Sequence, residues 1–280
     1  MRRAGTNRRR APIAILTDFG YRDHYVGAMK GVIATIAPQA PVIDITHGIP
    51  AQSIIAGAIA LRECWRYFPA ETIFLSVVDP GVGTARLPIA VETLAGACFV
   101  APDNGLVWLA IEQAGLKRAV ELRAQRYRLP KVSSTFHGRD IFAPAAAHLW
   151  RGEPLDAMGP RLRTIERLSI GEPVVRGRRL VGMVIYVDGF GNLVTNIGRE
   201  ALARFTSGFP GARVSVRIGR GAPLRIVNAY GDAPIGTPLA TFGSFELLEI
   251  AVREASAAQF FKASEGTPIT VTVNPGLRNG

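Results

Sequence analysis

At 280 residues, with 48% hydrophobic and 20% charged side chains, the chain has the composition of a soluble globular protein of one large or two ordinary domains. No apolar run approaches the length of a membrane span, and the basic first ten residues lack the apolar core of a signal peptide, so membrane insertion and export are both unexpected. The formal charge of +11 owes five of its units to Arg2, Arg3, Arg8, Arg9 and Arg10, read as a disordered tail over 1–10. The other basic residues are scattered with no stripe interleaved with aromatics, so nucleic-acid binding is not expected. Cys64 and Cys98 show neither metal-ligand spacing nor a disulfide framework, and read as small buried hydrophobes in a reducing cytoplasm.

In chain order, residues 12–16 read as a strand ending at Thr17-Asp18, and 25–36 as a helix with Val26, Met29, Ile33 and Ile36 on one face. A second strand over 41–45 ends at Thr46-His47, and a helix over 53–67 opens on a capping Ser53. The run 73–78 is short, apolar and rich in β-branched residues, as a strand buried on both faces would be. It stops at Asp79-Pro80-Gly81. A strand over 99–101 ends at Asp103-Asn104-Gly105, and helices follow over 106–114 and 141–150. Strands alternating with helices predict a largely parallel sheet flanked by helices, an N-terminal α/β domain over 11–160. Residues 161–179, polar and arginine-rich with a Gly-Glu-Pro break, read as a linker. From 180 to 280 the segments are short and strand-like with no long helical period, predicting a smaller all-β, barrel-like domain.

In a parallel sheet the strand-end residues Asp18, His47, Asp79 and Asp103 fall on one edge, where open α/β sheets bind ligands. Taken alone, Asp79 also suits the first position of a type I turn, and Asp140 or Thr135 in the stretch 134–140 suits a helix cap. Asp18-Phe19-Gly20 has no Gly-rich loop or His-Arg-Asp partner, Gly81-Val82-Gly83 lacks a dinucleotide-loop third glycine, and no P-loop is present. Acids and a histidine at strand ends could hold a metal, yet no metal-ligand spacing accompanies them, so no metal is assigned.

Five strings in order resemble the S-adenosyl-L-methionine (SAM) hydroxide adenosyltransferases, relatives of the fluorinase and chlorinase enzymes. They are Thr17-Asp18-Phe19-Gly20 with Asp23-His24-Tyr25-Val26-Gly27, Asp44-Ile45-Thr46-His47, Val78-Asp79-Pro80-Gly81-Val82-Gly83-Thr84, Ala101-Pro102-Asp103-Asn104-Gly105-Leu106 and Phe136-His137-Gly138-Arg139-Asp140-Ile141-Phe142. Asp188-Gly189-Phe190-Gly191-Asn192 and Leu247-Leu248-Glu249-Ile250-Ala251 resemble the family's C-terminal motifs, so the likeness runs from about 12 to 273. The resemblance implies hydrolysis of SAM, as substrate and not cofactor, to adenosine and methionine. It also implies a homotrimer whose site lies between one subunit's N-terminal domain and the next subunit's C-terminal domain. An Asp-Arg-His triad maps onto Asp79, Arg86 and His137. Asp18 would hold the ribose diol, and Asp23, Asp188 and Ser244 the amino-acid moiety. Phe190 would stack on adenine and Asn192 would bond its edge, with Tyr25 and Phe136 completing the substrate wall. The halogenases carry Tyr at the positions of Asp79 and His137, Ser at that of Gly138, and a long insertion near 92–97. All four differences imply hydrolysis. Val194, Gln52 and Tyr25 depart from the halogenase pattern. A halogenase and a non-catalytic SAM or adenosine sensor are the alternative readings.

Overall fold

The structure is a computed structural model and describes residues 11–274, so the expected basic tail lies outside the described residues. The chain divides into two compact units, 1–168 and 169–280.

The first unit runs β1 (Ile13–Thr17), α1 (Tyr25–Ile36), β2 (Val42–Thr46), α2 (Ile54–Cys64), β3 (Ile73–Val77), β4 (Pro88–Thr93), β5 (Cys98–Pro102), α3 (Trp108–Ala114), β6 (Leu116–Glu121), α4 (Ala143–Arg151) and β7 (Arg161–Leu162). Its seven-stranded sheet has the order β2-β1-β3-β5-β4-β6-β7. The first four of these are parallel, as the alternation of strand and helix predicts. The others pair antiparallel, an addition that the sequence pattern did not show. Every residue of β1 and β3 is buried, which is why both read as unbroken apolar runs. Val26, Met29 and Ile33 of α1 enter the core against α4, while α2 packs with α3. The expected cap of α2 is present, Ser53 accepting from the Ala56 amide at 3.3 Å.

After β1 the chain moves to β2 on one side, then returns past β1 to place β3 on the other. That reversal opens a crevice at the carboxyl ends of β1 and β3, the place where doubly wound sheets bind ligands. Asp18 follows β1 and Asp79 follows β3.

The second unit runs β8 (Val174–Arg176), β9 (Arg179–Val187), β10 (Leu193–Gly198), α5 (Arg199–Ser207), β11 (Arg213–Ile218), β12 (Pro238–Phe242), β13 (Leu247–Val252), α6 (Ala257–Phe261) and β14 (Pro268–Asn274). The sheet is antiparallel, in the order β11-β14-β9-β10-β13-β12 with β8 on β9. Residues 224–227 nearly close it into a barrel. Leu224 bridges Val216 of the edge strand β11, and Ile226 bridges Ala240 of the opposite edge strand β12. A near-closed sheet leaves few unpaired edge groups and encloses a core in which Ile269, Val271 and Val273 alternate inward along β14.

The second sheet is the expected barrel-like one, and two features add detail to it. Two short helices, α5 and α6, accompany the strands. In α5 only Leu202 and Phe205 are buried, too short a stripe to stand out as a period. Within 161–179, the short β7 pairs with the first sheet and the short β8 with the second.

Candidate active site

The loop after β3 is both a turn and a charged centre. The Val82 amide bonds the Asp79 carbonyl at 3.2 Å, so the turn reading of Asp79 is correct for its backbone. Its carboxylate meets Arg86, which donates Nε–H to Oδ1 at 2.9 Å and Nη2–H to Oδ2, a bidentate ion pair. The two side chains are 6% and 9% exposed. The same Nη2 donates to His137 Nδ1 at 2.7 Å. One arginine therefore ties the loop after β3 to a residue 51 positions further along the chain.

Because a guanidinium has only donors, His137 Nδ1 is an acceptor, the ring is neutral and Nε2 carries the proton. Burial, and then the neighbouring Arg86 cation, hold the His137 pKa below its ordinary value and favour the same state.

The two loops fit closely. Gly83 has φ +78°, and a Cβ there would lie 2.7 Å from the Ser134 carbonyl oxygen. His137 leads into a π turn, Gly138–Phe142, that runs on into α4. Asp140 and Thr135 make no side-chain cap here. Asp140 is fully buried, accepts the Ser133 amide at 2.7 Å and pairs with Arg139, pinning the loop that presents His137. Its side chain therefore holds the loop rather than capping a helix.

The other first-unit candidates divide. The Asp18 carboxylate accepts the Gln52 amide at 2.8 Å, and Gln52 has a left-handed φ of 66°. Tyr25 lies edge-on to the buried Phe136 at 5.2 Å, and Phe19 contacts both rings. Asp23 is exposed in the turn before α1. His47 does not face a cleft. It is fully buried, with Nδ1 2.8 Å from the Thr17 hydroxyl, and joins the ends of β1 and β2. The Asp103 carboxylate accepts the Glu166 amide at 2.8 Å, and burial raises its pKa. Both cysteines are half-buried rather than buried, and desolvation pushes the Cys64 thiol up to about 11 and the Cys98 thiol up to about 12. Among the described residues no group of three or more His, Cys, Asp or Glu side chains could hold a metal ion, and no helix is long and apolar enough to cross a membrane.

The second unit holds a pocket of about 1010 Å³, lined by Asp188, Phe190, Asn192, Tyr230, Ser244 and Glu249 among others. All four second-unit candidates are here. Asp188 organises the turn: Oδ1 accepts the Phe190 and Asn192 amides at 2.9 and 2.8 Å, and Oδ2 accepts Asn192 Nδ2 at 2.9 Å. Phe190 is 84% exposed at the pocket, and Asn192 is buried with its carbonyl oxygen uncommitted among the described residues. Val194 is fully buried in β10, opposite Glu249. Glu249 and Tyr230, hydrogen-bonded at 2.7 Å, were not among the expected site residues.

A parallel-sheet edge carrying an Asp-Arg-His cluster, followed by a near-closed β-barrel whose largely apolar pocket holds a few polar side chains, is what a two-domain enzyme acting on a small molecule would present. The family models "SAM hydroxide adenosyltransferase N-terminal domain" and "SAM hydroxide adenosyltransferase C-terminal domain" match residues 13–159 and 182–270, and the chain belongs to that family. It is 40% identical over 268 residues to an (R)-S-adenosyl-L-methionine hydrolase of Thermus thermophilus, covering 92% of this chain and 98% of that one. A protein of the same name from Salinispora arenicola is 36% identical, with 93% and 97% covered. A fluorinase of Nocardia brasiliensis is 29% identical, with 96% and 99% covered. The crystal structure of a conserved protein from Thermotoga maritima superposes with a TM-score of 0.84 at 40% identity, covering 93% of this chain and 99% of that one.

Proposed function

We propose that the protein hydrolyses SAM to adenosine and L-methionine by attack of water on the ribose C5′, a reading supported by relatives named (R)-S-adenosyl-L-methionine hydrolase. The observation that carries the reading is Arg86, held at once by Asp79 and His137 on the sheet edge. The sulfonium is already an excellent leaving group. The C5′–S electron pair returns to sulfur, a neutral thioether departs, and the water oxygen bonds to C5′. Attack on a cationic centre makes that water acidic only as the new bond forms, so a weak base suffices. His137, protonated at Nε2, serves as donor to the incoming oxygen. Asp79 is then the group that receives the water's proton and passes it to solvent. Arg86 keeps both groups in place and their charges balanced. Placing the water in line with the C5′–S bond supplies a further advantage.

In this reading Asp18 holds the ribose, Asp23, Asp188 and Ser244 the amino-acid end, and Phe190 and Asn192 the adenine, with Tyr25 and Phe136 walling the substrate. The reading includes a homotrimer in which residues of two chains serve one substrate, supported by the family resemblance. Halogen transfer is disfavoured by Gly138. A Cβ there would lie 3.2 Å from Met29 Sδ and 3.3 Å from the Phe136 ring, so this packing resists a serine hydroxyl of the kind that a halide site uses. The Asp79 carboxylate would also repel a halide.

The test is turnover of SAM in ¹⁸O-labelled water containing molar chloride. The expected nucleoside is adenosine alone, labelled in its 5′-hydroxyl. A 5′-chloro nucleoside, or unlabelled adenosine, would refute water attack at C5′.

A further inference from the structure

Glu249 places a carboxylate where one is costly. It stands on β13 and is 4% exposed, yet it lines the second-unit pocket. Its Oε2 accepts the Tyr230 hydroxyl at 2.7 Å. Its Oε1 has no hydrogen-bond partner among the described residues. The carboxylate occupies the space where a Cβ of residue 243 would stand, 1.7 Å from Oε1, so any side chain larger than that of Gly243 would push it from this position. Ser244 is the next residue. Asp188 is near enough to add to burial in raising the Glu249 pKa.

Among the described residues that line the pocket, none offers these two acids a free cation. Arg253 also lines it, but its Nη1 donates to the Ala233 and Gly231 carbonyls at 2.8 and 3.3 Å, and its Nε faces Glu254 at 3.7 Å. Asp188 is engaged in shaping its own turn. An almost buried carboxylate oxygen with nothing on it is unfavourable until a cation arrives. SAM brings two positive groups. The sulfonium has no N–H to donate and has to stand at the reacting bond, whereas the α-ammonium has three donors.

We infer that Glu249 is a further substrate-binding residue, its Oε1 seating the α-ammonium of the substrate's amino-acid portion beside Asp188 and Ser244. The inference rests on the SAM reading.

The experiment compares the KM for SAM with the inhibition constant of adenosine, which lacks the ammonium, in the wild type and in Glu249→Gln. The amide keeps the size of the group and an acceptor for Tyr230. The expected result is a KM raised about tenfold or more, the scale of one charge-assisted hydrogen bond, with kcat and the adenosine constant unchanged. A SAM analogue without the α-amino group should bind the variant and the wild type alike. If Glu249→Gln does not fold, Glu249→Asp, which withdraws the charge by one methylene, should show the same selective rise. An unchanged KM in an active variant overturns the role of Glu249. Equal weakening of adenosine overturns it too, by assigning the residue to the nucleoside. A wild-type protein that does not turn over SAM refutes the function itself.

Discussion

Arg86→Met removes three hydrogen bonds in one step and leaves two orphans. The Asp79 carboxylate, 6% exposed, loses both donors of its bidentate pair, and His137 Nδ1 loses the donor that fixes its tautomer. Breaking a buried ion pair from one side typically costs about 3–5 kcal/mol, because the surviving charge stays desolvated. That is a large share of the roughly 5–15 kcal/mol that holds a domain together. Turnover should fall by about 10²-fold or more, the scale on which positioned acid–base groups act. The two losses can be separated. In Asp79→Asn/Arg86→Met the stranded charge is gone, so most of the stability should return while turnover stays low. Urea unfolding gives the first quantity and chromatography of adenosine formed from SAM the second. If Arg86→Met unfolds at the wild-type midpoint, or if the double variant is no more stable than the single one, Arg86 does not neutralise Asp79 as the geometry requires.

Two further outcomes follow from the same cluster and its proposed assembly. Since burial and Arg86 depress the His137 pKa and the acceptor Nδ1 has to be unprotonated, log kcat/KM should be flat at neutral pH and decline on acidification, with an inflection below the ordinary value of about 6.5; an inflection above that value would contradict the tautomer. The same shift makes the unfolded chain the better proton binder, so the stability that this histidine contributes is present above about pH 6.5 and is lost as pH falls through its folded pKa. If two chains serve one substrate, Asp79→Ala and Asn192→Ala proteins, each nearly inactive, should recover part of the activity when unfolded and refolded together. No recovery, with subunit mixing demonstrated by mass, would place both residues in the service of the same chain's substrate.

The parts of the fold legible in the sequence are those with a single environment. β1 and β3 are apolar on both faces and end abruptly at Asp18 and Asp79, so the run and its stop show together. The strands that escaped notice have mixed environments. Leu116–Glu121 carries Lys117 and Arg118 outward onto Glu92 of β4, and only its last three residues are buried. Such a strand exists because β4 is already there to pair with, which is tertiary information. The closing segment 224–227 is a stronger case. It pairs through isolated bridges to two strands that are distant from each other in the sheet order, and no local period marks it.

The candidate site divides on similar lines. Asp79, Arg86 and His137 were found through resemblance to a family. The residue pattern alone put Asp79 on the ligand-binding edge of the sheet, with a simple turn as the alternative, and set His137 beside a cap, without joining the two. What joins them is a guanidinium reaching across two loops, and those loops can approach because Gly83 has no side chain to meet Ser134. Glu249 was hidden differently. It sits in Leu247–Val252, a strand buried at every position, where one acid among apolar neighbours gives no hint of which face it serves. Its partners lie elsewhere in the chain: Tyr230 supplies the hydroxyl, and Gly243 supplies space by lacking a Cβ. In both places the informative residue is a glycine whose missing side chain makes room for another residue's charged group or loop. A sequence shows the glycine, but it takes the folded chain to show which group occupies the space.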